Sequence, residues 1–311
     1  MNPQSNSVSE NSVPTPNASL SNAPTRPLYW SIRRELWESR AVYIAPLAVA
    51  GVLLFGFLIY LFKFPTDLRF EIRAYPEKKY PDLLLQPFDF AAGAVMAVAF
   101  LIGLLYCIEA LNTERRDRSI LFWKSLPISD LTVVLGKASI PFLVVPAVCF
   151  GITFVLQGIM LLLSSLVLAA SGLKAGMLWD ALSFFPSSFY LLYHIFTVHV
   201  LWYAPIYAWL LLISSWARRA PLVWAVVPPL AIGLFERLVF HTSHFAEFIG
   251  SRFSGGSEMD TSSFDGGFPF HHGVHLTPGH FLMSPGLWIG LVFAAAFLWA
   301  AARIRRYREP V

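Results

Sequence analysis

The sequence predicts an all-α protein that crosses a membrane about six times. Of its 311 residues, 56% are hydrophobic and only 14% are charged, and the mean hydropathy is +0.58. A water-soluble chain of this length does not need so large an apolar share. Several apolar runs reach the roughly 20 residues that a helix needs to cross a bilayer, and none alternates as a barrel strand would. Helices follow because lipid offers no hydrogen-bond partners to backbone N–H and C=O groups.

Six spans are predicted from these runs, at approximately 42–62, 88–108, 138–163, 194–216, 222–240 and 285–302. Lys and Arg concentrate before the first span, in every second loop and after the last span, which places both termini in the cytoplasm. The segments 63–87, 171–193 and 241–284 then lie on the outer side. The net charge of +4 fits this topology and contact with anionic membrane lipids, and nothing indicates a nucleic-acid partner.

The chain before the first span divides into two parts. Residues 1–27 are rich in Ser, Asn and Pro and predict a disordered cytoplasmic tail, because they offer little apolar surface to bury. Residues 28–40, LYWSIRRELWESR, predict an amphipathic helix that lies flat in the headgroup layer, with Tyr29, Ile32, Leu36 and Trp37 on its apolar side. Such a helix serves as an interfacial anchor, as a docking surface, or as both. Residues 28–311 are expected to form a single transmembrane domain.

A charged, helix-prone insert separates the second and third spans. Glu114 to Arg118 predict a charged turn, and a short helix follows as far as Leu126 and Pro127. Ser129 or Asp130 then caps the helix that leads into the third span.

The apolar residues of this insert decide between two interpretations of it. Ile120, Leu121, Phe122 and Trp123 are costly to expose to water unless a partner or the membrane covers them. This favours a short rigid helix presented to the cytoplasm. The alternative is a solvated basic loop that only sets the topology.

The order of residues in the insert resembles the cytoplasmic loop of type-2 ATP-binding-cassette (ABC) permeases. The resemblance is carried by Glu114, Ile120-Leu121, Ser125-Leu126-Pro127-Ile128-Ser129 and Gly136-Lys137. The layout is also similar, with an amphipathic helix, six spans and an enlarged outer segment between the fifth and sixth. The sequence departs from the family at Arg118-Ser119, where a Gly-Thr pair is more usual, and this leaves the tightness of the turn open.

The resemblance implies that the chain is the ABC transporter permease subunit of an exporter in a bacterial inner membrane, without enzymatic activity of its own. The insert would be the coupling helix that docks on a separate ABC ATPase, which binds ATP and Mg, and a second permease copy would complete a homodimer. The coupling residues implied are Glu114, Arg115, Arg118, Leu121, Trp123, Ser125, Leu126, Pro127, Asp130 and Lys137. The chain has no GxxxxGK[ST] segment, so nucleotide hydrolysis must come from the partner.

Three ionisable residues within predicted spans are candidates for the translocation path. These are Glu236, Arg237 and His199, because a charge at the centre of the hydrocarbon costs roughly 2.5 to 3.5 kcal/mol and is usually retained for function. Glu236 and Arg237 are adjacent on a helix and are therefore expected to pair with other spans. The alternative is that they reach the headgroup layer and have a structural role.

A histidine-rich stretch supports an alternative function, that of an enzyme. His271, His272, His275 and His280, joined by His241 and His244, have spacings compatible with zinc, which would give a membrane-embedded metal-dependent hydrolase. No HExxH helix accompanies them, so no metal ligands are assigned and solvated surface histidines are the default. A third reading is a non-transporting membrane anchor that recruits a cytoplasmic partner.

Overall fold

The structure, a computed structural model, describes residues 27–75, 84–117, 129–253 and 278–307. These residues form helices joined by short connections, which confirms the all-α prediction. The helices are α1 (Pro27–Glu38), α2 (Ala41–Leu61), α3 (Phe64–Ala74), α4 (Gln86–Arg116), α5 (Asp130–Ala170), α6 (Gly176–Leu182), α7 (Phe184–His194), α8 (Ala204–Trp216), α9 (Pro221–Val239), α10 (His244–Phe253), α11 (Pro278–Met283) and α12 (Pro285–Tyr307). The predicted tail, the middle of the insert and most of the histidine-rich stretch lie outside the described residues.

Six helical stretches are long and apolar enough to cross a membrane, as predicted. They are Ala41–Leu61, Gln86–Arg116, Asp130–Ala170, Gly176–Trp202, Pro221–Val239 and Pro285–Tyr307. Five of them cover the predicted spans except for at most one residue at an end, and three of these five extend five to eight residues beyond a predicted bound. The chain is therefore a multi-pass helical membrane protein. The orientation of its termini, and the outer position of 63–87, 171–193 and 241–284, remain predictions.

The fourth span differs from its predicted bounds. The predicted span 194–216 straddles two segments, the stretch Gly176–Trp202 and the shorter apolar helix α8. From Phe184 the chain is helical almost without interruption to Trp216, with a single bend at Tyr203. Because the whole stretch is apolar, hydropathy alone does not locate the span within it.

Two segments of the bundle have π-helical hydrogen bonding, Ile140–Val144 within α5 and Ile195–Trp202 between α7 and α8. Pro141 explains the first segment, because proline has no N–H to donate to the carbonyl of Lys137 four residues earlier. A π segment accommodates one extra residue per turn and so rotates the side chains that follow it. Both segments therefore affect which residues of α5 and α8 face the interior.

Helix α4 lies at the centre of the bundle. Phe88, Ala91, Val95 and Ala99 of α4 are buried in the core that it shares with α2 and α5, and Cys107 faces a second core built with α8. Small side chains on α4 allow its neighbours to pack closely, as is usual between membrane helices.

Large apolar side chains cover much of the outward surface of the bundle, as expected for helices that face lipid. Helix α9 is the extreme case, since only 6% of its most apolar window is buried inside the chain. Its contacts are made chiefly with α8, α4 and α10.

Candidate functional site

Five charged residues meet at the end of the bundle where the predicted coupling insert begins and ends. They are Glu35 of α1, Glu114 of α4, Asp130 and Lys137 of α5, and Arg305 of α12, and together they are called the ionic cluster here. Glu35, Glu114, Lys137 and Arg305 are each no more than 7% exposed. The cluster connects four helices that are far apart in the sequence.

Lys137 is the central cation of the cluster. Its Nζ lies 2.7 Å from Glu35 Oε1 and 3.1 Å from Glu114 Oε1. The second oxygen of Glu35 accepts a hydrogen bond from the hydroxyl of Tyr106 on α4, at 2.7 Å. Both oxygens of Glu35 are therefore satisfied, which a buried carboxylate needs in order to remain charged.

The contact between α1 and α5 is close because residue 136 has no side chain. A Cβ atom on Gly136 would lie 3.1 Å from the Cβ of Ser31, tighter than most real contacts. Ser31 and Glu35 are one helical turn apart and face Gly136 and Lys137. In the Gly-Lys pair, Gly136 therefore packs against Ser31 of α1, and Lys137 forms an ion pair with Glu35 of α1.

Arg305 is the second cation of the cluster and connects the last helix to the insert. Its Nη1 lies 2.5 Å from Glu114 Oε2, and its Nε lies 3.2 Å from Asp130 Oδ1. Asp130 is the first residue of α5, and Ser129 caps this helix by accepting a hydrogen bond from the backbone N–H of Thr132. The predicted cap is therefore confirmed at Ser129, while Asp130 binds Arg305.

Arg115 joins α4 to the end of α8. Its Nη2 donates to the carbonyl oxygens of Ser214 and Ala217, at 2.7 Å each. The hydroxyl of Ser214 in turn accepts from the backbone N–H groups of Leu111 and Asn112. Together with the ionic cluster, these bonds hold α1, α4, α5, α8 and α12 to each other at one end of the bundle.

The charges in this region balance. Glu35, Glu114 and Asp130 carry three negative charges, and Lys137, Arg305 and the neighbouring Arg115 carry three positive ones. Buried charges are costly unless they are paired and hydrogen-bonded, and removing one partner of such a pair typically costs about 3 to 5 kcal/mol. The cluster therefore favours one relative arrangement of the helices, and any displacement of one helix changes the pairing of the others.

The structure brings together four of the predicted coupling residues, namely Glu114, Arg115, Asp130 and Lys137. Glu114 and Arg115 belong to the last turn of α4 and are buried, so the prediction that they form part of a charged turn is wrong. The helix continues because their charges find partners on α5, α8 and α12. The other predicted coupling residues, Arg118, Leu121, Trp123, Ser125, Leu126 and Pro127, lie outside the described residues.

Glu35, Tyr106 and Arg305 were not among the predicted site residues. In the sequence, Arg305 resembles the other arginines that set the topology, and Tyr106 resembles any aromatic residue of a membrane span. A signal for Glu35 does exist, because it stands between Ile32 and Leu36 on the side of α1 that faces the bundle. Two other residues predicted on the apolar side of α1, Tyr29 and Trp37, are 55% and 73% exposed.

The structure separates the three candidates for the translocation path. Glu236 binds within its own hairpin, because its two oxygens accept from the Thr242 hydroxyl and the Phe245 backbone N–H, at 2.8 Å each. The expectation that it pairs with another span is therefore wrong, since its partners lie at the start of α10. Arg237 is exposed. A role of either residue in transport remains a prediction.

His199 lies inside the bundle. It is 6% exposed, and its Nε2 lies 3.0 Å from the carbonyl oxygen of Met96. The rings of Phe100 and Tyr203 pack around it. Its Nδ1 has no hydrogen-bond partner in the part of the chain that the structure describes. Of the three candidates, only His199 faces other spans.

Arg252, at the end of α10, is a buried cation that the sequence analysis did not single out. Its guanidinium lies 4.2 Å from the ring centre of Trp202 and donates to the carbonyl oxygens of Trp202 and Gly286. A Cβ atom on Gly290 would lie 2.7 Å from its Nη2, so this glycine makes room for it. Burial lowers the pKa of the guanidinium, which nevertheless stays charged. Arg252 thus fastens α10 to the fourth and last spans.

The structure describes only part of the histidine-rich stretch. No group of three His, Cys, Asp or Glu side chains suited to a metal occurs within residues 27–75, 84–117, 129–253 and 278–307. His271, His272 and His275 lie outside these ranges, and His280 belongs to α11. The metal-dependent hydrolase therefore stays an alternative from the sequence alone.

Comparison of the chain with models of protein families, with curated proteins and with solved structures gives no match. The chain is a multi-pass helical membrane protein with a buried ionic cluster at one end of its bundle.

Proposed function

We propose that the chain is the permease subunit of an ATP-driven ABC exporter and works with a separate ATPase and a second permease copy. One observation carries the proposal. The ionic cluster joins the two ends of the predicted coupling helix, Glu114 at the end of α4 and Asp130 and Lys137 at the start of α5, to α1 and α12. A force applied to residues 118–128 would therefore reach four helices at once.

In this proposal the ionic cluster transmits a displacement of the coupling helix to the other helices of the bundle. ATP-driven closure of two ATPase subunits moves the coupling helix, and the buried ion pairs carry the movement to α1, α5 and α12. A ligand shifts an equilibrium between two conformations only if it binds one of them more tightly. Here the two conformations are two arrangements of the helix bundle, and the ligand is the nucleotide bound by the partner ATPase. The chain itself has no phosphate-binding loop, so it needs that partner.

The test begins by identifying what contacts the insert in cells. A photo-reactive phenylalanine analogue at position 123 is expected to cross-link to a chain that contains a GxxxxGK[ST] motif. The same analogue at Phe70 of α3, an exposed position at the opposite end of α2, is the control and is expected to give no such product. Cross-linking of the ATPase at 70 but not at 123, or a partner without a nucleotide-binding motif, would contradict the proposal.

A second measurement tests the role of the cluster. In proteoliposomes that contain the complex, replacing Lys137 by Met is expected to abolish ATP-dependent transport while the yield of the cross-link at 123 is retained. Arg306→Met, which changes an exposed arginine of α12, is the control and should transport normally. Normal transport by a folded Lys137→Met complex would show that the cluster does not transmit the force.

A further inference from the structure

An apolar crevice lies between α8, α9 and α12, at the same end of the bundle as the ionic cluster. Its volume is about 280 Å³, and its walls include Trp209, Ile213, Trp216, Trp224, Pro228 and Ile304. Apolar cavities do not hold ordered water, so the crevice is suited to an apolar ligand. It extends over about two helical turns from Trp209 to Trp216, which is roughly 10 Å.

Two contacts join α8 to α9 beside the crevice. Pro229 has no N–H for the carbonyl of Ala225, and the indole N–H of Trp209 donates to this carbonyl instead, at 3.1 Å. The rings of Trp216 and Trp224 meet edge to face, 4.8 Å apart. The crevice is therefore part of the way in which α8 and α9 pack, and it leaves α9 with few other contacts to the bundle.

The mouth of the crevice is strongly basic. Arg218 and Arg219 follow Trp216 in the connection to α9, and Arg303 precedes Ile304 on α12, where it donates to the hydroxyl of Tyr307 at 3.1 Å; all three arginines are exposed. In the three helices that form the crevice, the nearest acidic residue is Glu236, which is twelve residues, or about 18 Å, beyond Trp224 along α9. The three arginines therefore lie at the headgroup end of the crevice without an acidic residue of these helices among them.

We propose that the crevice binds one anionic phospholipid of the adjacent leaflet. One acyl chain would lie between Trp216, Trp224 and Ile304, and the phosphate would contact Arg218, Arg219 and Arg303. An apolar slot between spans with a basic mouth is the arrangement that recognises such lipids, and in the predicted orientation it opens toward the cytoplasmic leaflet, where they are concentrated. The lipid fills the space between α9 and the bundle and so holds this helix in place.

The test measures lipids retained by the purified full-length protein with native mass spectrometry. Phosphatidylglycerol is compared with phosphatidylcholine that has the same acyl chains. One tightly retained phosphatidylglycerol per chain is expected. The double variant Arg218→Gln/Arg219→Gln should weaken its binding roughly 10- to 30-fold, since each basic residue near an anionic surface contributes about a factor of five.

Two further variants locate the lipid. Ile304→Trp, which fills the crevice, is expected to remove the bound phosphatidylglycerol although every arginine is retained. Arg33→Gln/Arg40→Gln, which removes two exposed arginines near α1 at the same end of the bundle, is the control and should bind the lipid normally.

Four results would overturn the proposal. Three concern the lipid: equal retention of both lipids, an equal loss of phosphatidylglycerol in the Arg33 and Arg40 control, or unchanged binding in the Ile304→Trp variant. The fourth is occupation by a second copy of the chain, which would appear as a disulfide between two protomers that carry Trp224→Cys, with no lipid retained. The surface arginine variants leave the packing intact, so the outcome does not depend on how well the tryptophan variant folds.

Discussion

Glu114 and Arg305 form an ion pair at 2.5 Å although 191 residues separate them in the sequence. Arg305 also contacts Asp130, so one side chain of the last helix holds both ends of the insert. This pair is the direct link between the end of the chain and the segment expected to receive force from a partner.

Replacement of Arg305 by Met is expected to lower the free energy of unfolding by about 3 to 5 kcal/mol, because Glu114 then lies buried with one cation fewer. Thermal unfolding of the purified protein in detergent measures this. Arg306→Met removes the exposed neighbour and should change stability by less than about 0.5 kcal/mol. The double variant Glu114→Leu/Arg305→Met is expected to cost less than the sum of the two single changes. Additive effects would argue against a direct pair.

Replacement of Gly136 by Val is expected to separate α1 from α5, because its Cβ would lie 3.1 Å from that of Ser31. Gly151→Val is the matched control on the same helix, since a Cβ there meets nothing within 4 Å. The readout is maleimide labelling of Ser31→Cys, which should become faster only with the change at 136. The natural cysteines, Cys107 and Cys149, are both buried and give little background. Equal labelling rates in the two valine variants would contradict the close approach.

Replacement of Gly290 by Ala is expected to displace the Arg252 guanidinium, because the new Cβ would lie 2.7 Å from Nη2. The loss of the hydrogen bonds to Trp202 and Gly286 should cost about 1 to 3 kcal/mol of stability. Gly286→Ala is the control, since its nearest contact would be at 3.9 Å. In an Arg252→Ala background the alanine at 290 should cost nothing further. An undiminished penalty there would mean that another neighbour causes it.

Replacement of Glu236 by Gln is expected to loosen the start of α10 and to lower stability by about 1 kcal/mol, because a neutral amide is a weaker acceptor for the Phe245 N–H and the Thr242 hydroxyl. Hydrogen exchange of the amides at the start of α10 should become faster, and Arg237→Gln should leave this rate unchanged. If transport falls in the Glu236→Gln protein while exchange is unaffected, the residue belongs to the translocation path and not to the hairpin.

The spans could be predicted from the sequence because hydropathy is a local property and lipid imposes helices on every apolar run. The bounds of the fourth span do not follow from hydropathy for the same reason, since 184–216 is largely apolar and no local signal selects a window within it. Of the residues predicted on the apolar side of α1, Ile32 and Leu36 pack against the core, whereas Tyr29 and Trp37 are exposed.

The ionic cluster could not be predicted, because each of its members looks like a surface charge when its own neighbours alone are considered. Glu35 is buried only because Lys137, 102 residues later, is there to pair with it. Glu114 extends α4 instead of forming a turn because Lys137 and Arg305 neutralise it. Such pairings depend on how distant helices pack, which the order of residues within one segment does not specify.

The π segment Ile195–Trp202 has a consequence for changes in chain length. Deleting a single residue from it would restore regular α geometry and turn the whole of α8 by about 100° relative to α7. Ser214 and the carbonyl of Ala217 would then turn away from Arg115, so a one-residue deletion in this segment would break the contacts between α4 and the end of α8.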